Sequence, residues 1–381
     1  MKVLRLIGGL DESHGGPPVS SLRSCIAARR AGAATTLAFP AAAVPDDATR
    51  ALMVRLRDEG VETVTFPIAR GRWESWGASL PFARWILRNR GRFDLVHCHG
   101  AWQMATLAAT LPPGRRRPPV VLTPNESLTD FDLGHTPDPK TRAIKPRLRR
   151  YYASRIGLFV MASELEARDS GPVPGDRVAV IPHAVWDERA PLPPPRKSPD
   201  AAAPVRLGYI GRLHAKKNVD LLVRALAPLP ARVSLAIAGT GPEEGGLRRL
   251  AAEIGAAGRI DWLGFVGGAA KDDFFRRIDV LVMPSAYECF GMAAAEALAA
   301  GVPVVVTEKT GIAEIVRRHG GGIIAAPEAD ALRGALGALI AAPDRLAALS
   351  REALAATKAA LSLSAHGAAL LRAYEGLPGH G

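Results

Sequence analysis

Two doubly wound α/β domains with parallel sheets, facing each other across a cleft, are what this sequence predicts, and three observations carry that reading. Short apolar runs alternate with stretches of helical spacing through the first half. A proline-rich run without apolar periodicity, PLPPPRKSPDAAAP (191–204), then interrupts the pattern as a linker. After it the same alternation begins again. Strand–helix alternation argues for a parallel sheet covered on both faces, and 381 residues with 48% hydrophobic content suffice for two such cores.

In chain order, LRLIGGL (4–10) reads as a first strand, and VSSLRSCIAARRAG (19–32) as a helix stopped by Gly32. ATTLAFP (34–40) is a second strand, 46–59 a helix, VETVTFPI (61–68) a strand and 80–90 a helix. FDLVHCHG (93–100), PPVVLTPN (118–125), GLFVMAS (157–163) and RVAVIPHAV (177–185) complete a domain over 1–190. VRLGYIG (205–211), VSLAIAG (233–239), IDWLGF (260–265), VLVMPS (280–285) and VPVVVTE (302–308) are the strands of a second domain over 205–360. The alanine- and leucine-rich stretch 344–375 reads as helices, with the segment 361–381 expected to return to the first domain.

Composition narrows the function classes. No apolar run approaches the roughly 18 residues of a membrane span, and the opening MKVLRLIGGLDESHGG is too short in apolar residues for a signal-peptide core. A soluble, cytoplasmic chain is expected, working at the inner face of the membrane if its acceptor is lipid-linked. Cys25, Cys98 and Cys289 lie far apart without a CxxC pair, which argues against a disulfide framework and against zinc. Net charge is +12 and leans to the first half: 27 basic against 19 acidic residues over 1–190, and 22 against 18 over 191–381. Nucleic acid, an anionic membrane and a phosphorylated substrate could each use that excess; with no standard nucleic-acid motif present, nucleic acid is not expected.

The chemistry concentrates in VLVMPSAYECFGMAAAEALAAGVPVVV (280–306). A buried strand leads into a loop closed by Gly291, and a helix starts near Met292. Free amides at that start, with the helix dipole, make an anion site. Glu288 in the loop and Glu296 one turn into the helix can accept hydrogen bonds from two hydroxyl-bearing parts of one ligand while the amides hold its phosphates. This segment resembles the E-x7-E signature of retaining family 4 glycosyltransferases of the GT-B fold. GRLHAKKNVDLL (211–222) resembles that family's phosphate-binding stretch, and 236–268 has its usual wording and spacing. The resemblance covers almost the whole second half.

The resemblance implies that Arg212 and Lys217 reach the donor diphosphate, as fixed positive charge for a leaving group whose charge grows in the transition state. It implies that Glu296 holds the ribose hydroxyls, that Glu288 contacts the donor sugar, and that backbone groups around Phe265 and Val266 hold the base. The donor would be a UDP-, GDP- or similar nucleotide sugar; no further cofactor and no metal is expected.

Three first-half segments bear on the site. SHGGPPVSSL (13–22) places Gly15 and Gly16 between a strand and a helix, where backbone can approach a ligand closely; in the resembling family this loop borders the donor phosphates and sugar. DLVHCHGAW (94–102) ends a strand with His97 and His99 on one face, either structural or on the acceptor side. In TPNESLTDFD (123–132), Asn125 stands where the family often has a histidine that contacts the donor sugar, and Glu126 is a further acceptor-side candidate. Asparagine can donate and accept hydrogen bonds but cannot carry a proton at neutral pH. A variant contact, a deliberate substitution and a shifted motif all remain open. Finally, WESWGASLPFARWILRNRGR (73–92), with Trp73, Trp76 and Trp85, and KTRAIKPRLRRYYASRIGLFV (140–160) combine aromatics and arginines, as surfaces that meet anionic membranes do.

The expected function is therefore a retaining, metal-independent transfer of a hexose to a glycan, glycolipid or natural-product hydroxyl. The alternatives are a non-catalytic sugar-nucleotide-binding assembly subunit, which Asn125 favours, and a GT-B sugar-nucleotide epimerase, which needs no acceptor.

Overall fold

The computed structural model describes residues 1–9, 16–41, 47–68, 76–111, 118–197, 200 and 202–377, and the chain divides into two compact units. The first is Met1–Ala184 with Leu363–Gly381; the second is Val185–Ser362. The division thus falls at Ala184 and Ser362 rather than at 190 and 360. The proline-rich run belongs with the second unit, because Arg196 ties it there: its amide donates to Ser350 Oγ (2.9 Å) and its guanidinium to the Phe275 carbonyl (2.6 Å).

Unit 1 runs β1 (Lys2–Ile7), α1 (Gly16–Arg30), β2 (Ala34–Ala41), α2 (Asp47–Asp58), β3 (Glu62–Pro67), α3 (Leu80–Asn89), β4 (Leu95–His99), α4 (Met104–Thr110), β5 (Val120–Thr123), α5 (Asp130–Gly134), α6 (Pro139–Arg155), β6 (Leu158–Met161), α7 (Glu164–Asp169) and β7 (Val178–Val180). Unit 2 continues with β8 (Val205–Ile210), α8 (Val219–Leu226), β9 (Val233–Ala238), α9 (Glu244–Glu253), β10 (Ile260–Gly264), α10 (Ala269–Arg277), β11 (Val280–Met283), α11 (Met292–Ala299), β12 (Val304–Thr307), α12 (Ile312–His319), β13 (Gly322–Ala325), α13 (Ala329–Ala341) and α14 (Pro343–Ala360). The last helix, α15 (Leu363–Glu375), packs on α1 in unit 1.

The strand orders are β3-β2-β1-β4-β5-β6-β7 and β10-β9-β8-β11-β12-β13, and every pairing is parallel. Parallel strands are covered on both faces, which is why VLVM and VVVT read as unbroken apolar runs. Successive residues point to opposite faces: Leu4 and Leu6 enter the core that includes Phe82 and Tyr152, whereas Val3 joins Leu370 and Tyr374 on the other side. Strand β13 is not among the strands read from the sequence; it is four residues long, begins on glycine directly after two others, and is mostly half-buried at the sheet edge. Each sheet reverses its order of growth at one point, β1/β4 and β8/β11, and ligands of open α/β sheets sit beyond the carboxyl ends of strands at such points.

Candidate functional site

In unit 2 the loops after β8 and β11 leave adjacent strands at the switch point. The loop after β8 passes Gly211 and Arg212 and closes with a 3-10 turn, Ala215–Lys217. The loop after β11 is clamped from both sides. Ala286 donates its amide to the Lys216 carbonyl (2.8 Å), Glu288 donates to the Lys309 carbonyl (2.9 Å), and Gly311 donates back to the Glu288 carbonyl (2.9 Å). Backbone bonds to two neighbouring loops therefore set the position of Glu288. Its carboxylate forms an ion pair with Lys217, with Ser285 Oγ at 3.4 Å.

Glu296 lies on α11 and forms an ion pair with Lys271 of α10. Both carboxylates and both lysines are largely shielded, with side chains between 12% and 31% exposed, so these pairs are screened less than surface ones. Gly291 precedes α11 with φ 99°, and no side chain caps the helix, which leaves its first amides to a ligand or water. Arg212 is exposed and forms no ion pair among the described residues. Phe265 is 70% exposed in the loop after β10, with Val266 half-buried beside it. Arg212, Lys217, Glu288, Gly291, Met292 and Glu296 thus share the carboxyl edge of one sheet. Lys271 lies in no motif, and sequence reasoning missed it, because its partner Glu296 is 25 residues away on the next helix.

In unit 1, Gly16 opens α1, while Gly15 and Trp73 lie outside the described residues. Trp76 is half-buried, and Trp85 is half-buried against Phe66, ring centroids 5.4 Å apart. His97 and His99 do share a face, their rings stacked at 4.6 Å. They are nevertheless 0% and 5% exposed inside a polar network, which assigns them to the framework and not to a surface an acceptor can reach. Arg5 donates to Tyr374 Oη (3.1 Å), Ser24 Oγ (2.6 Å) and His99 Nε2 (2.9 Å). A guanidinium only donates, so His99 carries its proton on Nδ1. His97 contacts Tyr374 Oη through Nδ1 (2.6 Å) and Thr123 Oγ1 through Nε2 (2.8 Å). His366 on α15 donates from Nδ1 to the Pro182 carbonyl (2.7 Å) and meets Ser24 Oγ through Nε2 (2.9 Å). The network joins β1, β4 and β5 to α1 and α15, and two of its members, Tyr374 and His366, come from the far end of the chain.

Burial, then the Arg5 charge, holds His97 and His99 well below the ordinary histidine range. Burial brings His183 down to about 3 and His366 to about 4, the latter against the Pro182 hydrogen bond. The unfolded chain takes up protons near pH 6.5 that the folded chain refuses, so the histidines' contribution to stability is full above that pH and falls as pH drops toward 4. For His366 alone this is on the order of 3 kcal/mol. The melting temperature is expected to fall steeply between about pH 6.5 and pH 4, and His366→Gln to flatten the fall. An unchanged profile in that variant would contradict the assignment.

Asn125 and Glu126 follow β5 with φ 52° and 75°, two consecutive non-glycine residues in the left-handed region. Each costs about 1 to 2 kcal/mol. Both are half-buried, and Asn125 Oδ1 is buried without a hydrogen-bond partner among the described residues. The Glu126 amide donates to Glu166. Among the described residues no group of three His, Cys, Asp or Glu is placed to hold a metal, and no helix is long and apolar enough to cross a membrane.

Residues 15–184 match the glycosyl transferase 4-like domain, and residues 195–355 match glycosyl transferases group 1. A D-inositol 3-phosphate glycosyltransferase of Xylanimonas cellulosilytica is 30% identical over 298 residues, covering 71% of this chain and 69% of that one. The chain belongs to the group 1, family 4-like glycosyltransferases. An uncharacterized glycosyltransferase of Methanocaldococcus jannaschii is 28% identical over 255 residues, 62% of this chain and 63% of the relative. Across its curated relatives this glycosyltransferase spans about two thirds of their length or less. The crystal structure of Anabaena HepE in complex with UDP superposes with a TM-score of 0.75 at 18% identity, covering 99% of this chain and 100% of that one. The two chains share one fold, two doubly wound parallel-sheet units of the GT-B type.

Proposed function

We propose that this glycosyltransferase moves a hexose from a nucleotide-diphosphate sugar to a hydroxyl of a glycan, glycolipid or natural-product acceptor, without a metal and with retention of configuration. The observation that carries the reading is the pairing of Glu288 with Lys217 and of Glu296 with Lys271 at the switch point of unit 2. Each carboxylate is held by a lysine that can exchange it for a phosphate, which leaves the carboxylate free for sugar or ribose hydroxyls. Arg212 and Lys217 then face the leaving diphosphate, the uncapped start of α11 adds its amides, and Phe265 with Val266 offers an apolar edge to the base. Gly15 and Gly16 are assigned to the donor phosphates, and Asn125 to the donor sugar. The leaving phosphate serves as base, so Asn125 need not carry a proton. Anabaena HepE is described in complexes with UDP and with UDP-glucose, which supports a uridine donor.

A thermal-shift screen of UDP, GDP and their glucose and mannose conjugates tests this. The correct donor at about 100 times its Kd is expected to add about 2.7 kcal/mol of stability. No shift with any nucleotide would remove the donor reading. Asn125 favours a second reading, an assembly subunit that binds donor without turnover; calorimetric binding together with no nucleotide release over a panel of acceptors would support it.

The basic excess of the first half fits peripheral contact with anionic lipid. On α3, Leu80 (64% exposed) and Leu87 (43%) accompany exposed Arg84 and Arg88; on α6, exposed Ile144 accompanies Arg147 and Arg150. Each such cation contributes about 1 kcal/mol near an anionic surface. Flotation with phosphatidylserine vesicles is expected, and is expected to be lost at high salt; flotation that ignores salt, or none at all, would exclude this contact.

A further inference from the structure

Glu166 takes no part in the site described so far, yet its carboxylate is 0% exposed and both its oxygens are engaged. Oε1 accepts the Glu126 amide at 2.6 Å, and Oε2 accepts the Ala162 amide at 2.7 Å. The residue sits in the first turn of α7, capped by Ser163 whose Oγ accepts the Glu166 amide (3.0 Å), so the helix start fixes the carboxylate's origin. The turn it grips is the Asn125–Glu126 pair. On its far side the turn is anchored by Thr129, whose Oγ1 donates to the Glu126 carbonyl (2.7 Å), and by Ser127, whose Oγ accepts the Ala101 amide (3.1 Å). On its near side the buried carboxylate is the charged acceptor that stabilises a backbone form unfavourable for two residues with side chains.

We propose that Glu166 is a positioning residue, whose buried carboxylate holds the Asn125–Glu126 turn in its left-handed form and thereby sets the direction of the Asn125 side chain. The catalytic consequence rests on the proposed role of Asn125 at the donor sugar; the conformational one does not. Burial raises the Glu166 carboxyl to about 7, the Glu126 charge adds to this, and the two amide bonds oppose it. Ionising Glu166 lowers global stability as pH rises through the interval from its unfolded value to about 7, because the folded state holds the proton more tightly. Its grip on the turn changes in the opposite sense and is strongest above about 7, when both oxygens accept fully. A buried acid without a positioning role would show the first effect and not the second.

The test is hydrogen exchange of the turn peptide in the full chain, corrected for the intrinsic pH dependence of exchange. In Glu166→Gln the amide nitrogen faces an N–H donor, so the turn is expected to exchange about tenfold faster at pH 8, as the wild type does at pH 6, while β1 and β4 stay protected. Glu166→Asp, too short to reach both amides, is expected to restore part of the protection. UDP affinity measured by calorimetry is expected to be unchanged in both variants, because Asn125 is assigned to the donor sugar, which UDP lacks, and not to the diphosphate. With UDP-glucose, kcat is expected to fall more than KM rises. A folded Glu166→Gln with wild-type protection of the turn overturns the proposal. Should that variant not fold, wild-type turn protection that stays constant across pH 7 overturns it equally. If UDP fails to bind the wild type while the exchange result appears, the donor reading falls and the positioning role stands.

Discussion

Replacing Lys217 with methionine is expected to lower turnover by about 10² to 10³-fold while leaving the fold intact. Lys217 sits on a 3-10 turn whose backbone is tied to the β11 loop through the Lys216 carbonyl, so its ammonium is held in place before a donor arrives. The negative charge of the leaving diphosphate grows only as the glycosidic bond breaks. A fixed cation therefore acts more on the transition state than on the bound donor, and kcat falls more than KM rises. Loss of the lysine also leaves Glu288 without its ion-pair partner in a shielded position. Lys217→Met and Glu288→Gln are accordingly expected to be non-additive, with a coupling of about 0.5 to 3 kcal/mol in a double-mutant cycle. The measurement is nucleotide release under single-turnover conditions with UDP-glucose. Near-wild-type turnover in Lys217→Met would place the diphosphate elsewhere. Arg212→Met is expected to cost less, because Arg212 is exposed and its charge is screened by water.

The second large effect is expected at Gly239, where alanine should destabilise the chain by on the order of 3 kcal/mol or more. Gly239 follows β9 with φ 138°, and a Cβ there would be driven into the carbonyl oxygen of Gly211. The contact cannot relax cheaply, because both segments are backbone and are bonded together. Gly211 donates to the Ala238 carbonyl (2.9 Å), Leu213 to the Thr240 carbonyl (2.9 Å) and Gly239 to the Gly264 carbonyl (2.6 Å). Pushing them apart moves the loop that carries Arg212 and Lys217, so UDP affinity should fall together with stability. Gly246→Ala on α9, where an added Cβ meets nothing, is the control; it is expected to be neutral or to stabilise by up to about 1 kcal/mol. Chemical unfolding with UDP calorimetry reads both quantities. Wild-type values in Gly239→Ala would show that the two loops are not locked together.

Much of the fold is written locally. VLVM and VVVT could be read as buried strands because apolar runs bounded by glycine or proline carry their own signal. The loop-to-helix step at Gly291 was equally legible. Helix α6 was not, because its stretch is dominated by arginines and contains Pro146, which masks the helical period. Strand β13 follows two glycines and begins on a third, Gly322, which reads as a loop, and no single stretch announces Lys271 or Glu166. Ser163 and Glu166 stand at the spacing of a capping box, a signal that could have flagged the residue but not its reach to Glu126.

By itself, the sequence determined the two α/β units, the family, and the segments that carry Arg212, Lys217, Glu288 and Glu296. Each depends on periodicity or spacing within a few turns of chain. The tertiary structure decided which charges meet: Lys217 with Glu288, Lys271 with Glu296, Glu166 with the Glu126 amide, and Arg5 with His99 and Tyr374. It also withdrew His97 and His99 into the framework of unit 1. Burial and pairing arise where strands distant in sequence lie side by side, and short-range patterns carry no record of that neighbourhood.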